Sequence, residues 1–207
     1  MRKIVFQMMA TLNGRLDQPY EWLHSVCEGQ YWRIDQIYST YDTVLVGRVT
    51  YEEMAAYWPT ALAETEGTET NRKMARRMRD YRKLVFSRRK GQALTGWRNA
   101  EHVIAADAKA LRDILSGLKE QPGGNIHLSG GASFAQSVIG LDLVDEYHFF
   151  FYPAVSSGSV WFERWPGQQG LRLLASESYE NGVVWLHYAA QARETRAQPD
   201  SFSELLT

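Results

Sequence analysis

The chain has 207 residues, a formal net charge of −1 and one cysteine, with 44% hydrophobic and 13% aromatic residues. That apolar share suffices for the core of one generous domain. A near-neutral total gives no overall pull toward nucleic acid or a membrane surface, and the lone Cys27 excludes an internal disulfide and a cysteine-built metal cluster. The opening MRKIVFQMMATLNG has too short an apolar run for a secretory leader and reads as a first strand, Ile4–Met9. No apolar run reaches the roughly 18 residues that span a bilayer. A cytoplasmic protein is the expectation.

Asn13-Gly14 makes a turn after the first strand, because both residues tolerate positive φ. Tyr31, Ile34, Ile37, Tyr38 and Tyr41 then fall at helical spacing between Gln30 and Tyr41. Thr43–Val46 reads as a buried strand. Gly47 leads into a helix with Tyr51, Met54, Ala55 and Trp58 on one face, stopped by Pro59. Next comes a charge split: Tyr51–Thr70 holds five Glu and no Lys or Arg, whereas Asn71–Lys90 holds ten Lys or Arg against Asp80 alone. Arg72–Arg79 reads as a helix with a thin face of Met74, Ala75 and Met78. Lys83–Phe86 is a strand, Gly91–Ala100 a loop and His102–Ala105 another strand. Asp107 can cap a helix whose Leu111, Ile114, Leu115 and Leu118 repeat at i, i+3, i+4, i+7.

Ile126–Ser129, Gly130-Gly131, a helix from Ala132 to Gly140 and a strand Val144–Tyr152 form one strand–helix–strand crossover. A final hairpin pairs Leu171–Tyr179 with Val183–Ala190 about Asn181-Gly182, and Gln191–Thr207 is a polar tail in which Ser201–Glu204 can cap one helical turn. Alternating strands and helices closed by an antiparallel hairpin argue for a three-layer αβα domain on a mainly parallel sheet.

In such a sheet the ligand crevice lies outside the carboxyl ends of the strands. Three segments sit at such ends: Gly47-Arg48-Val49-Thr50, Ser87-Arg88 and Ser129-Gly130-Gly131. Thr50 reads as a helix cap or as a phosphate ligand, and the glycine pair as a tight turn or as a phosphate cradle. Two arginines and two hydroxyls around one crevice suit a phosphomonoester. Most other charges of Asn71–Lys90 read as the wet face of a helix, with no aromatic platform for nucleic acid. His24, His102, His127, His148 and His187 show no metal-ligand spacing, and the last three read as packed or surface residues within strands. The chain lacks a P-loop, a Rossmann glycine fingerprint and a G-x-S-x-G elbow.

Thr11-Leu12-Asn13-Gly14-Arg15, Asp42–Glu52 (DTVLVGRVTYE), Lys83–Arg88 (KLVFSR), Ile126–Phe134 (IHLSGGASF) and Leu143-Val144-Asp145-Glu146 occur in this order. Together they resemble the dihydrofolate reductase-like family, in the branch that shares the C-terminal reductase domain of the riboflavin-pathway deaminase/reductase. The resemblance covers residues 1–190 as one domain and leaves 191–207 as the tail. It implies a mixed, mainly parallel sheet that binds NADPH and passes hydride to a C=N or C=O group of a small pterin-, pyrimidine- or sugar-phosphate-like substrate. Gly47, Arg48 and Thr50 would follow the adenosine phosphate and pyrophosphate, Ser87 and Arg88 the 2′-phosphate. Gly130, Gly131, Ser133 and Phe134 would line the pyrophosphate and nicotinamide. The substrate side would comprise Thr11, Tyr31, Asp35 and Trp58, with Asn13 in the catalytic loop where the family usually has Asp. The resemblance also implies a homodimer, with Phe149–Tyr152 and the final hairpin available as the subunit contact. A non-catalytic or regulatory NADP-binding protein is the alternative.

Overall fold

The structure, a computed structural model, describes residues 1–63, 68–88, 94, 96–161 and 169–191. In chain order its elements are β1 (Ile4–Thr11), a 3₁₀ turn (Pro19–Glu21), α1 (Glu28–Ser39), β2 (Tyr41–Gly47), α2 (Arg48–Ala63), α3 (Glu69–Asp80) and β3 (Arg82–Ser87). There follow β4 (Ala100–Ile104), α4 (Ala108–Glu120), β5 (Asn125–Leu128), α5 (Ala132–Ile139), β6 (Glu146–Tyr152), β7 (Leu171–Ser178) and β8 (Val184–Ala190). The strands form one sheet in the order β4-β3-β2-β5-β1-β6-β8-β7. Neighbours from β4 to β6 are parallel, and β6-β8-β7 are antiparallel.

The period of two along the strands sorts the core into two halves. Ile4, Phe6, Met8 and Ala10 of β1 share one cluster with Leu111, Leu115 and Leu118 of α4 and Ala135, Val138 and Ile139 of α5. Val5, Val44, Val46 and Val85 pack in the other with Ile34 and Ile37 of α1, Tyr51 of α2 and Met78 of α3. The result is the three-layer αβα architecture, with the antiparallel hairpin at one end of the sheet. Among the described residues, no helix is long and apolar enough to cross a membrane.

Local chemistry explains the boundaries. Asp107 accepts the Ala110 N–H at 2.8 Å and starts α4. Thr68 does the same for α3 through Asn71 at 3.2 Å, a cap the sequence pattern had not marked. Gly182 turns the hairpin at φ +78°, with Tyr179 N–H donating to Val183 O at 2.9 Å. Two sequence expectations change. Tyr41 belongs to β2, because Thr40 ends α1 and the helical spacing continues by chance into the strand. Pro59 lies inside α2, on its exposed side, where the backbone bond it cannot donate costs least. Part of the 91–100 loop, Pro166-Gly167 and the tail beyond residue 191 lie outside the described residues.

His127 of β5 is buried against α1, stacked on Tyr41 with centroids 4.9 Å apart and within 3.2 Å of the Tyr38 hydroxyl. Burial pushes its pKa down to about 3 from the ordinary 6.5, so the folded ring is neutral while an unfolded chain takes up a proton below about pH 6.5. The stability it contributes is complete above that pH. It falls by about 1.4 kcal/mol per pH unit as the pH drops toward 3. The His148 pKa is likewise held down to about 3, chiefly by burial. Urea melts between pH 7 and 4.5 are therefore expected to show a wild-type slope about 1.4 kcal/mol per pH unit steeper than that of His127→Phe.

Candidate functional site

Four adjacent parallel strands, β4, β3, β2 and β5, end along the same side of the sheet, and α2, α4 and α5 start there. Between these ends lies a cleft of about 990 Å³. Its walls include Gly47, Arg48 and Thr50 from the β2–α2 junction, Ser87 and Arg88 from the end of β3, and Gly131, Ser133 and Phe134 from the start of α5. Eight of the nine residues expected at a cofactor are thus brought together by three strand ends. Gly130, the ninth, directly precedes Gly131 at φ +98°.

Gly131 shows why this junction needs glycine. Its φ is +74°, and a Cβ there would stand 2.9 Å from the Thr50 hydroxyl oxygen. Gly47 repeats the pattern more mildly, since a Cβ on it would meet that of Phe134 at 3.3 Å. Two helix starts therefore press together edge to edge, each presenting backbone N–H groups that no preceding turn can satisfy. Aligned helix dipoles add roughly 0.3–1 kcal/mol each for an anion placed there. Phe134 stacks on Phe86 with centroids 4.9 Å apart and planes 22° apart, which fixes the start of α5 over β3.

The side chains at the rim have defined partners. Arg48 Nε donates to Glu52 Oε1 at 3.0 Å along its own helix. Ser87 Oγ lies 2.6 Å from His102 Nε2 on the adjacent strand. Arg88 is exposed just past β3. The cleft is also lined by Ala105, Ala106, Asp107 and Ala108, at the end of β4 and the start of α4. Sequence reasoning had not included them. The same strand-end rule, applied to His102–Ala105 and its capping Asp107, would have found them.

The residues expected on a substrate side are placed apart from this cleft. Thr11, at the end of β1, donates to Asn13 Oδ1 at 2.7 Å and accepts the Arg15 N–H at 3.0 Å. Asn13 is exposed and bridges to the 153–159 loop, donating to Ser156 O at 2.8 Å. It lines a separate, largely apolar cavity of about 420 Å³ with Met8, Phe149, Phe151 and Trp161. The buried Arg15 guanidinium reinforces the same loop junction through Asp17, Glu21 and Ser156. Tyr31 and Trp58 are half-buried on α1 and α2, and burial raises the Tyr31 phenol pKa, with Tyr57 of α2 adding to it. Asp35 is engaged with α3, accepting from Lys73 at 2.6 Å and Arg77 at 3.0 Å. Burial pushes its carboxyl up, but the two cations outweigh this and hold it below the usual carboxylate range.

Known proteins are similar to this chain in sequence or in fold. An uncharacterized protein, YyaP, of Bacillus subtilis (strain 168) is 24% identical over 188 residues, covering 90% of this chain and 94% of its own. Among solved structures, the diaminohydroxyphosphoribosylaminopyrimidine deaminase/5-amino-6-(5-phosphoribosylamino)uracil reductase of Thermotoga maritima superposes with a TM-score of 0.62 at 13% identity, over 92% of this chain and 57% of that one. Dihydrofolate reductase of Enterococcus faecalis, complexed with NADP(H), superposes with a TM-score of 0.59 at 11% identity, over 92% and 97% of the two chains. At such identities the likeness is one of fold, the mixed sheet with flanking helices described above. The family described as the RibD C-terminal domain matches residues 2–185, nearly every element of the sheet. The chain belongs to the RibD C-terminal domain family.

Proposed function

We propose that this protein is an NADPH-dependent reductase that passes hydride to a C=N or C=O group of a small substrate. The carrying observation is the cleft in which two helix starts meet at Gly131 beside Arg48, Ser87 and Arg88. A dinucleotide fits those residues: the close approach of Gly131 to Thr50 brings the starts of α2 and α5 together, the first N–H groups of a helix have no partner within it and suit a pyrophosphate, and two arginines line the same cleft. Family membership and the NADP(H)-complexed neighbour support the same reading.

Each chain residue then has a task. Gly47, Thr50, Gly130, Gly131 and Ser133 hold and orient the pyrophosphate. Arg48 follows the adenosine phosphate and pyrophosphate, Ser87 and Arg88 hold the 2′-phosphate, and the Phe134–Phe86 stack keeps the start of α5 rigid beside them. The bound nicotinamide supplies the hydride; the protein supplies position and excludes water. Thr11, Tyr31 and Trp58 remain the proposed substrate-side residues. The bonds of Asn13 and Asp35 are to neighbouring loops and helices, and this reading does not depend on them. A homodimer is part of the proposal, supported by Leu173, Leu174 and Val184, which are exposed on the terminal hairpin.

Titration of wild type with NADPH beside NADH tests the assignment. Each arginine bond to a phosphate group contributes roughly 1.5–3 kcal/mol, so Arg48→Ala/Arg88→Ala should weaken NADPH binding about a hundredfold or more and the already weaker NADH binding by less, since NADH has no 2′-phosphate for Arg88 to hold. Failure of wild type to bind either nucleotide sinks the reductase reading. Tight binding with no substrate-dependent oxidation of NADPH, across pterin-, pyrimidine- and sugar-phosphate-like compounds, selects the non-catalytic NADP-binding alternative.

A further inference from the structure

A second group of chemically able side chains lies on the α1 side of the sheet, toward the opposite ends of the strands from the cleft. Glu146 and His148 are two residues apart on β6 and so share one face. His187 of β8 is directly opposite His148 in the antiparallel ladder. Directly opposed residues have Cβ atoms about 4.5–5.5 Å apart, so the register alone brings the three side chains together. One ligand atom from each lies within 4.8 Å of the other two. His187 Nε2 is 3.0 Å from Glu146 Oε2, and the two imidazoles stack with centroids 4.1 Å apart.

We propose that Glu146, His148 and His187 bind a divalent transition-metal ion of the zinc class. Two imidazoles and a carboxylate are borderline-soft donors of the kind zinc prefers, and three protein ligands leave a coordination position open. That position would face a cavity of about 230 Å³, lined by all three ligands together with Arg33, Tyr41 and Trp185. The Tyr41 hydroxyl, buried on this cavity, has no hydrogen-bond partner among the described residues. It could serve a water on the ion. Lys3 Nζ contacts the other carboxylate oxygen, Glu146 Oε1, at 2.5 Å, and so holds the ligating carboxylate without occupying Oε2. Ligands at about 2.0–2.2 Å from zinc stand about 3.3 Å apart, so the ligand atoms, now within 4.8 Å of one another, must draw in and the two stacked rings must turn toward one point. The nearby positive charge is partly offset, since Arg33 is paired with Glu177 at 2.8 Å.

Two hydrogen bonds oppose the ion. His187 Nε2 donates to Glu146 Oε2 at 3.0 Å and must give up that proton to ligate. The indole N–H of Trp185 donates to His148 Nδ1 at 3.1 Å, which leaves the proton of the neutral ring on Nε2. A metal bond to His148 therefore requires that proton to leave or Trp185 to release Nδ1. Trp185 thus acts as a restraint on affinity.

Calorimetric titration of the chelator-treated full chain with ZnCl₂, and visible absorption with CoCl₂, test the site. Expected are one ion per chain, a low-symmetry cobalt spectrum from nitrogen and oxygen ligands, and at least about a tenfold loss of affinity in His187→Ala and in Glu146→Gln. Trp185→Phe, which keeps a ring in the stack and removes the restraining donor, should tighten binding. The cobalt spectrum of wild type decides the matter even if a histidine variant fails to fold. No saturable binding by wild type, or unchanged binding in a folded His187→Ala, overturns the site. NADPH titration of the same samples is independent of either result, because the two sites share no residue.

Discussion

Gly131→Ala is expected to lower NADPH affinity by about a hundredfold and stability by about 1–3 kcal/mol, while Gly130→Ala loses stability with a much smaller change in affinity. Both glycines have positive φ, +98° at Gly130 and +74° at Gly131, so both variants carry backbone strain of about 1–3 kcal/mol. Only at Gly131 does the new methyl group meet an obstacle, the Thr50 oxygen at 2.9 Å; at Gly130 nothing lies within 4 Å. The start of α5 must then retreat from the start of α2, and donors aimed at one pyrophosphate no longer converge. Losing two such hydrogen bonds to a charged group accounts for the hundredfold figure, at roughly 1.5 kcal/mol each. Thermal melts and nucleotide titrations of the two variants side by side separate strain from contact. Equal affinity losses would refute the contact argument.

Lys83→Met is expected to cost about 3 kcal/mol or more, away from any cleft. Lys83 is fully buried at the start of β3. Its ammonium donates to the carbonyls of Arg79 (3.1 Å), Tyr81 (2.8 Å) and Arg98 (2.8 Å) and lies 4.3 Å from the centre of the Trp97 ring. One side chain thus ties the end of α3 to the segment entering β4. Methionine matches its length but leaves three carbonyls without their donor, at roughly 1 kcal/mol or more each. Burial also pushes the Lys83 pKa down to about 8 from 10.5, despite the nearby Asp80. The unfolded chain therefore holds this proton more firmly than the folded one between those values, and stability from this residue rises with pH across that window. Urea melts at pH 7 and pH 9.5 should show the gap between wild type and Lys83→Met widening at the higher pH. A constant gap would mean that the amine keeps an ordinary affinity for its proton.

Much of the molecule was legible in the residues, and the exceptions share a physical cause. The Leu111, Leu115, Leu118 repeat and the Asp107 cap located α4, because period and cap are both local properties. The crevice rule located the cleft, because strand ends and glycine pairs are visible in one dimension. Pro59 and Tyr41 were misjudged where tertiary packing overrides a local signal: α2 continues past a proline on its exposed side, and β2 takes a tyrosine whose spacing fitted α1. Asp35 illustrates a different gap. Its helical position was readable, but its partners Lys73 and Arg77 on α3 depend on how two helices pack. His148 and His187 are the extreme case. Neither stands at ligand spacing from the other along the chain, and only the antiparallel register sets them face to face.

The strand order has a consequence for the life of the chain. Because β5 is inserted between β2 and β1, Gly47 and Gly131 become neighbours only after everything from α2 to α5 has been made and threaded into place. No N-terminal fragment ending before α5 contains the cleft. Parallel pairing between such distant segments is slow to form, since loop closure precedes the contacts that reward it. A ligand that occupies the cleft acts on the finished fold alone, and stabilises it in proportion to the logarithm of its concentration. A ligand that binds there is therefore expected to slow proteolysis of the full chain and to leave a fragment ending before α5 unprotected.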